Sequence, residues 1–180
     1  RQNITGVISG SGGLAVTSLN GGSLVLSGAN TYSGSTSVDS GTLQISGAGS
    51  LGSGAYAGNI ALFNDALFRY SSSAAQTLSG DVSGGGDLTK DVSATSTLIL
   101  SGNNTYTGST TVGAGTLKAG STTALGSNSA VTLNGTLDLN GFDISIGSLA
   151  GTGTVTNSTT GTTTLTTGGN NLARTFSGVI

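Results

Sequence analysis

Seven aspartates and five cations carry all the side-chain charge of this 180-residue chain, whose net charge is −2. Two converging carboxylates, helped by a base or a metal, would cleave a glycosidic bond. Asp39, Asp65, Asp138 and Asp143 stand alone, in turns or on outward strand positions, where Asp is ordinarily a solvated cap. Asp81, Asp87 and Asp91 are denser, have Lys90 beside them, and could line one edge. Spacing alone does not make them converge. The chain has no His, so its many serines cannot form a Ser-His-Asp relay. A Ser–Lys pair through Lys90 or Lys118 is formally open, with no local signature behind it. There is no Cys, which excludes disulfides and thiolate metal sites.

Other chemistries fare no better. Gly84–Leu88 is a single partial copy of a glycine-aspartate calcium motif that works only in tandem, so no metal or other cofactor is expected. Thr152/Thr154/Thr156 and Thr162/Thr164/Thr166 resemble pieces of an ice-binding array, but they cluster near one end and do not recur per turn. Arg1, Arg69, Lys90, Lys118 and Arg174 are scattered and form no basic stripe for phosphates, which excludes nucleic acid. No 18-residue apolar stretch supplies a transmembrane helix. Tyr32 and Tyr106 read as corner-packing aromatics, because a lean core needs their apolar area. Tyr56, in the loop Gly54–Asn59, reads as part of an exposed insertion.

The elements that hold these residues follow from composition and spacing. Charged residues are 7% of the chain against about 25% in typical domains. Hydrophobic residues still reach 34%, so core material is present. It arrives as apolar pairs two residues apart: Leu24/Leu26, Leu43/Ile45, Val131/Leu133, Leu137/Leu139 and Ile144/Ile146. Gln44, Thr132, Asp138 and Ser145 sit between members of such pairs, which is the alternation of a half-buried strand. Turn residues such as Ser27-Gly28, Asn134-Gly135 and Asn140-Gly141 follow each run.

The chain also repeats itself. Ser23–Ser53 and Thr97–Ser127 align without gaps at a shift of 74, with 17 identities over 31 positions. Ile4–Gly10 pairs with Leu78–Gly84 at the same shift, and Phe176–Ile180 pairs with Leu78–Val82 at a shift of 98. Residues 4–77 and 78–175 therefore read as two cassettes of one solenoid over 1–180, with the start of a third at 176–180. The difference between the shifts reads as one turn of 24 residues. The chain opens and closes within the pattern, as a segment of a longer protein would. Near-identical cassettes favour stacked coils over an antiparallel sandwich. The expected fold is all-β: a right-handed, single-stranded parallel β-helix (β-solenoid) of about 7–9 rungs, each of about 20–25 residues.

The motif LxLSGxNTYxGxTxVxxGTL stands at Leu24–Leu43 and again at Leu98–Leu117. It resembles the passenger-associated transport repeat of autotransporters. The motif positions are Asn30, Thr31, Tyr32, Gly34, Val38, Gly41 and Leu43, then Asn104, Thr105, Tyr106, Gly108, Val112, Gly115 and Leu117. Gly135–Gly141 and Phe68-Arg69-Tyr70 are further phrases similar to that family. The resemblance implies a β-helical passenger exported across the outer membrane of a Gram-negative bacterium through a C-terminal barrel, and displayed at the cell surface. It implies roles in adhesion, aggregation or biofilm, and help in passenger translocation and folding.

The expected function is that of a non-enzymatic stalk segment projecting an adhesive tip. Its partners are then the adjacent rungs or domains of its own parent chain. The alternatives are direct adhesion or self-association through glycans, host or bacterial surfaces or sister solenoids, and a β-helical carbohydrate enzyme.

Overall fold

The computed structural model describes residues 1–18, 21–63 and 65–180. The apolar pairs form strands of two to five residues, and every strand pairing among the described residues is parallel. No α-helix occurs among them; a single 3-10 turn spans Gly52–Gly54. With strands this short, no element could bury its apolar face alone. Stability comes from stacking each turn on the next.

Three sheets make the sides of a β-solenoid of about eight turns. Face one stacks eight strands: Gln2–Ile4, Ser23–Leu26, Gly41–Ile45, Ala66–Tyr70, Asp87–Lys90, Thr110–Val112, Ala130–Leu133 and Ser148–Ala150. Face two stacks six: Ala55–Tyr56, Gln76–Leu78, Thr97–Leu100, Thr116–Ala119, Thr136–Asp138 and Thr154–Thr156. Face three stacks Leu14–Val16, Thr36–Val38, Ile60–Leu62 and Val82–Gly84. From Gly41 onward the chain runs from face one to two to three and back. Near the C-terminus the short pair Ile144–Ser145 and Leu165–Thr166 takes the third place in that order.

The register on face one measures the turns. Gln2, Leu24, Leu43, Phe68, Leu88, Thr110, Val131 and Leu149 lie one above another. Successive turns are therefore 22, 19, 25, 20, 22, 21 and 18 residues long. The uniform 24-residue turn read from the sequence is thus replaced by a shorter and uneven one. The corners absorb insertions and deletions while the strands stay in register.

The shorter turn changes what the repeat means. Three turns above Leu24 on face one is Leu88; its motif equivalent Leu98 lies on face two. Likewise Thr36–Val38 is on face three and its equivalent Thr110–Val112 is on face one. One cassette spans three turns and one further face. Equivalent residues of the two cassettes do not stack, contrary to the expectation from a repeat of whole turns.

The core lies on the axis between the faces. Leu26, Ile45, Tyr70, Lys90, Val112 and Leu133 form one inward column and are all buried. Burial of each such apolar side chain contributes about 1.5–3 kcal/mol relative to leaving it in water. Outward on face two, Thr97, Thr116, Thr136 and Thr154 form a second column over four turns. Thr154 therefore does recur per turn, which its sequence neighbourhood did not reveal. Beside that column the outward pair Lys118 and Asp138 forms an ion pair at 3.1 Å, so the face is not a flat uncharged array.

Candidate functional site

The repeated motif builds one structure twice, at two places around the coil. Its first part is an amide staple. Asn30 is fully buried; its Oδ1 accepts the Ile8 N–H of the turn below at 2.9 Å. Its Nδ2 donates to Ser50 O of the turn above at 3.1 Å and to Gly28 O at 2.9 Å. Asn104 repeats this, accepting from Val82 N at 2.7 Å and donating to Ala124 O at 2.7 Å. An amide suits this place because it carries both an acceptor and a donor. A corner has no strand ladder, so the side chain joins three successive turns instead.

The second part is a hydroxyl chain inside the corner. Tyr32 and Tyr106 are 1% exposed. Their phenols pair with the buried Oγ1 of Thr36 at 2.8 Å and of Thr110 at 2.7 Å. In the first copy Thr36 also bonds the Tyr56 hydroxyl at 2.8 Å, and Tyr56 in turn donates to Gly34 O. The Tyr32 and Tyr56 rings meet edge to face at 5.4 Å. In the second copy Ser129 replaces Tyr56: it bonds Thr110 at 2.9 Å and donates to Gly108 O at 2.7 Å. Burial pushes the phenol pKa of Tyr32, Tyr56, Tyr70 and Tyr106 up, because the charged form has no water.

The remaining motif positions set the spacing of turns. A Cβ on Gly34 would fall 2.4 Å from a Gly12 backbone carbon, and one on Gly108 would fall 2.1 Å from Gly86 O. Gly41 and Gly115 turn the chain at φ +77° and +72°, where side chains are rarely accommodated. Val38, Leu43, Val112 and Leu117 fill the core. Thr31 and Thr105 point outward, and their backbone N–H groups bond Ile8 O and Val82 O of the turn below, each at about 2.9 Å or less.

Several residues act where sequence reading had placed something else. Tyr56, read as part of an exposed insertion, is 1% exposed and lies in a strand of face two. The reason is its phenol, which completes the Thr36 chain. Lys90 does not line an edge with Asp81, Asp87 and Asp91: it points into the core and is fully buried. Its amine donates to Ser93 O at 3.1 Å and Ala114 O at 3.2 Å. Burial pulls its pKa down, while the charge of Asp91 acts the other way. Gln76 is inward too, and its amide pairs with Leu51 N at 2.8 Å and Leu51 O at 3.1 Å, as a strand would. The signal for Gln76 in the sequence was its place two residues before Leu78, on the apolar side of the alternation.

The aspartates are spread around the coil and hold neighbouring turns. Asp81 accepts from Asn103 N at 2.8 Å, and Asn59 accepts from Asp81 N at 3.0 Å, one turn apart each time. Asp87 accepts from Ser109 N at 2.7 Å, and Asp143 from Thr164 N at 2.7 Å. Asp39 accepts from Thr17 Oγ1 at 2.9 Å. Asp91 pairs with Arg69 at 2.6 Å. Burial opposes the charge of Asp138. Hydrogen bonds from Ser158, Lys118 and Asn140 outweigh that, so its pKa lies below the ordinary range. Lys118 Nζ is engaged by Asp138 and by Ser158 Oγ at 2.9 Å.

The passenger-associated-transport-repeat family model matches residues 16–45 and 95–119, which contain both staples and both tyrosine–threonine pairs. No curated protein and no solved structure matches the chain.

Proposed function

We propose, from the premise that this chain is an autotransporter passenger repeat domain, that it serves as a non-catalytic rigid spacer holding a distal adhesive element away from the surface of a Gram-negative bacterium. The observation that supports this reading is the unbroken parallel register of face one through eight strands. At about 4.8 Å per turn, that ladder extends the rod by roughly 34 Å. The carboxylates that an enzyme would gather are instead bonded to different turns.

The same architecture suits export of an unfolded chain. Each turn bonds mainly to the one below, so turns can add in order as the chain emerges, and folding free energy biases the movement outward. The absence of disulfides leaves no covalent loop to obstruct passage.

The test is a replacement in the full-length secreted protein. Residues 1–180 are exchanged for an unrelated parallel solenoid with the same number of turns. Export and tip-borne adhesion should both survive. Adhesion lost while the exchanged protein is still displayed would refute the spacer role and assign the activity to this segment.

A further inference from the structure

Each motif copy encloses a small open cleft, and the two clefts lie at equivalent residues. The first runs between Thr31–Ser33 and Gly52–Ala57, the second between Asn103–Thr107 and Thr122–Asn128. Each has a volume of about 240 Å³. The pairs Thr31/Thr105, Ser33/Thr107 and Ser53/Ser127 are one cassette apart and line both walls. The recurrence ties the cleft to the motif itself rather than to one local irregularity.

The walls have a distinctive chemistry. These six hydroxyl side chains are exposed, and among the described residues none of them hydrogen-bonds within the chain. The same holds for the Asn103 and Asn128 amides beside the second cleft. By contrast, Asn59, Asp81, Asp87 and Asp143 nearby spend their acceptors on neighbouring turns. No charged residue lines either cleft. The floor is apolar, with Tyr32 and Tyr56 in the first and Tyr106 and Leu125 in the second.

From these features we infer that the two clefts are twin subsites for one sugar ring each of a neutral glycan. Free hydroxyls and amides match a polyol, which both donates and accepts. An apolar floor matches the C–H face of a pyranose ring. An anion would find no cation here, and a cation no carboxylate. At about 240 Å³ each cleft is smaller than the roughly 300–1,000 Å³ of pockets for drug-sized ligands, so a single ring is the fitting occupant. Because one cassette spans three turns and a further face, the clefts open on different sides of the rod. They therefore engage separate glycan chains, and avidity on a dense glycan layer exceeds the affinity of either.

This inference stands apart from the spacer role, since a rod that binds no sugar remains a spacer. The test is titration of the isotopically labelled chain with maltose, lactose and cellobiose, followed by amide chemical shifts, with digalacturonate as the charged comparison. At least one neutral sugar should move Thr105, Thr107, Ser127 and Asn128 together with Thr31, Ser33 and Ser53, with Kd on the order of millimolar. The paired variant Thr107→Val with Ser127→Ala removes two exposed hydroxyls without touching the core. It should weaken binding at the second cleft by about three- to tenfold and leave the first unchanged. Absence of shifts with all three sugars, shifts outside both clefts, unaltered affinity in the variant, or a stronger response to digalacturonate would each overturn the assignment.

Discussion

Asn104 Oδ1 accepts the Val82 N–H at 2.7 Å from the turn below, 22 residues earlier in the chain. Since Nδ2 of the same side chain serves Ala124 O in the turn above, one buried amide joins three turns. Asn104→Ala should leave a buried donor and a buried acceptor without partners and cost about 2–4 kcal/mol. Asn104→Asp should cost at least as much at neutral pH, because it keeps the acceptor but buries a charge opposite Ala124 O. Urea unfolding of both variants checks this; an Asp variant as stable as the parent would refute the staple.

The close approach of turns at the motif glycine gives a second prediction with an internal control. Gly108→Ala places Cβ 2.1 Å from the Gly86 carbonyl oxygen and should cost about 2 kcal/mol or more. Gly12→Ala meets nothing within 4 Å and should change stability by less than about 0.5 kcal/mol. Thermal melts of the pair should separate clearly, and coincident melts would mean that the turns can move apart without penalty.

The hydroxyl chain should be sensitive to loss of its central member. Thr36→Val keeps the shape but leaves both the Tyr32 and Tyr56 hydroxyls without their threonine partner. Tyr56 retains Gly34 O, so the main loss falls on Tyr32. The expected cost is about 1–3 kcal/mol. The double variant Thr36→Val with Tyr32→Phe should recover part of it, because no buried hydroxyl is then stranded. A denaturation cycle over the two sites measures the recovery, and strictly additive losses would count against the coupling.

Stability should fall on both sides of a neutral plateau. The four buried phenols have raised pKa values in the folded chain. Their contribution is complete below the unfolded value of about 10 and is lost as pH rises above it, where the unfolded chain releases protons first. Lys90 has the opposite sign: its folded pKa is depressed, so the unfolded chain holds the extra proton and stability rises with pH up to about 10.5. Four phenols outweigh one amine, so the net change above about pH 10 is a loss. On the acid side, the depressed pKa of Asp138 gives stability that is present above about 3.8 and lost as pH falls below it. Urea midpoints across pH should show this plateau, and Lys90→Met should flatten its alkaline shoulder. A midpoint that climbs above pH 10 would contradict the sign assigned to the phenols.

How much of this was legible beforehand can be read from particular residues. Leu43/Ile45 and Val131/Leu133 announced buried strands because side-chain direction alternates every residue, a local rule that holds whatever the strand packs against. The burial of Tyr32 and Tyr106 followed equally directly, since a core poor in large side chains has need of them. The two copies of the motif marked the corners, and with them the parallel stacking.

The sequence by itself therefore determined the strands, the stacking and the repeat. Only the tertiary structure decided the length of each turn, the side on which each cassette lands, the inward course of Lys90 and the burial of Tyr56. The physical reason is one of range. Alternation is settled within a few residues, whereas the length of a turn depends on every corner around the perimeter and on which backbone happens to lie 18 to 25 residues away.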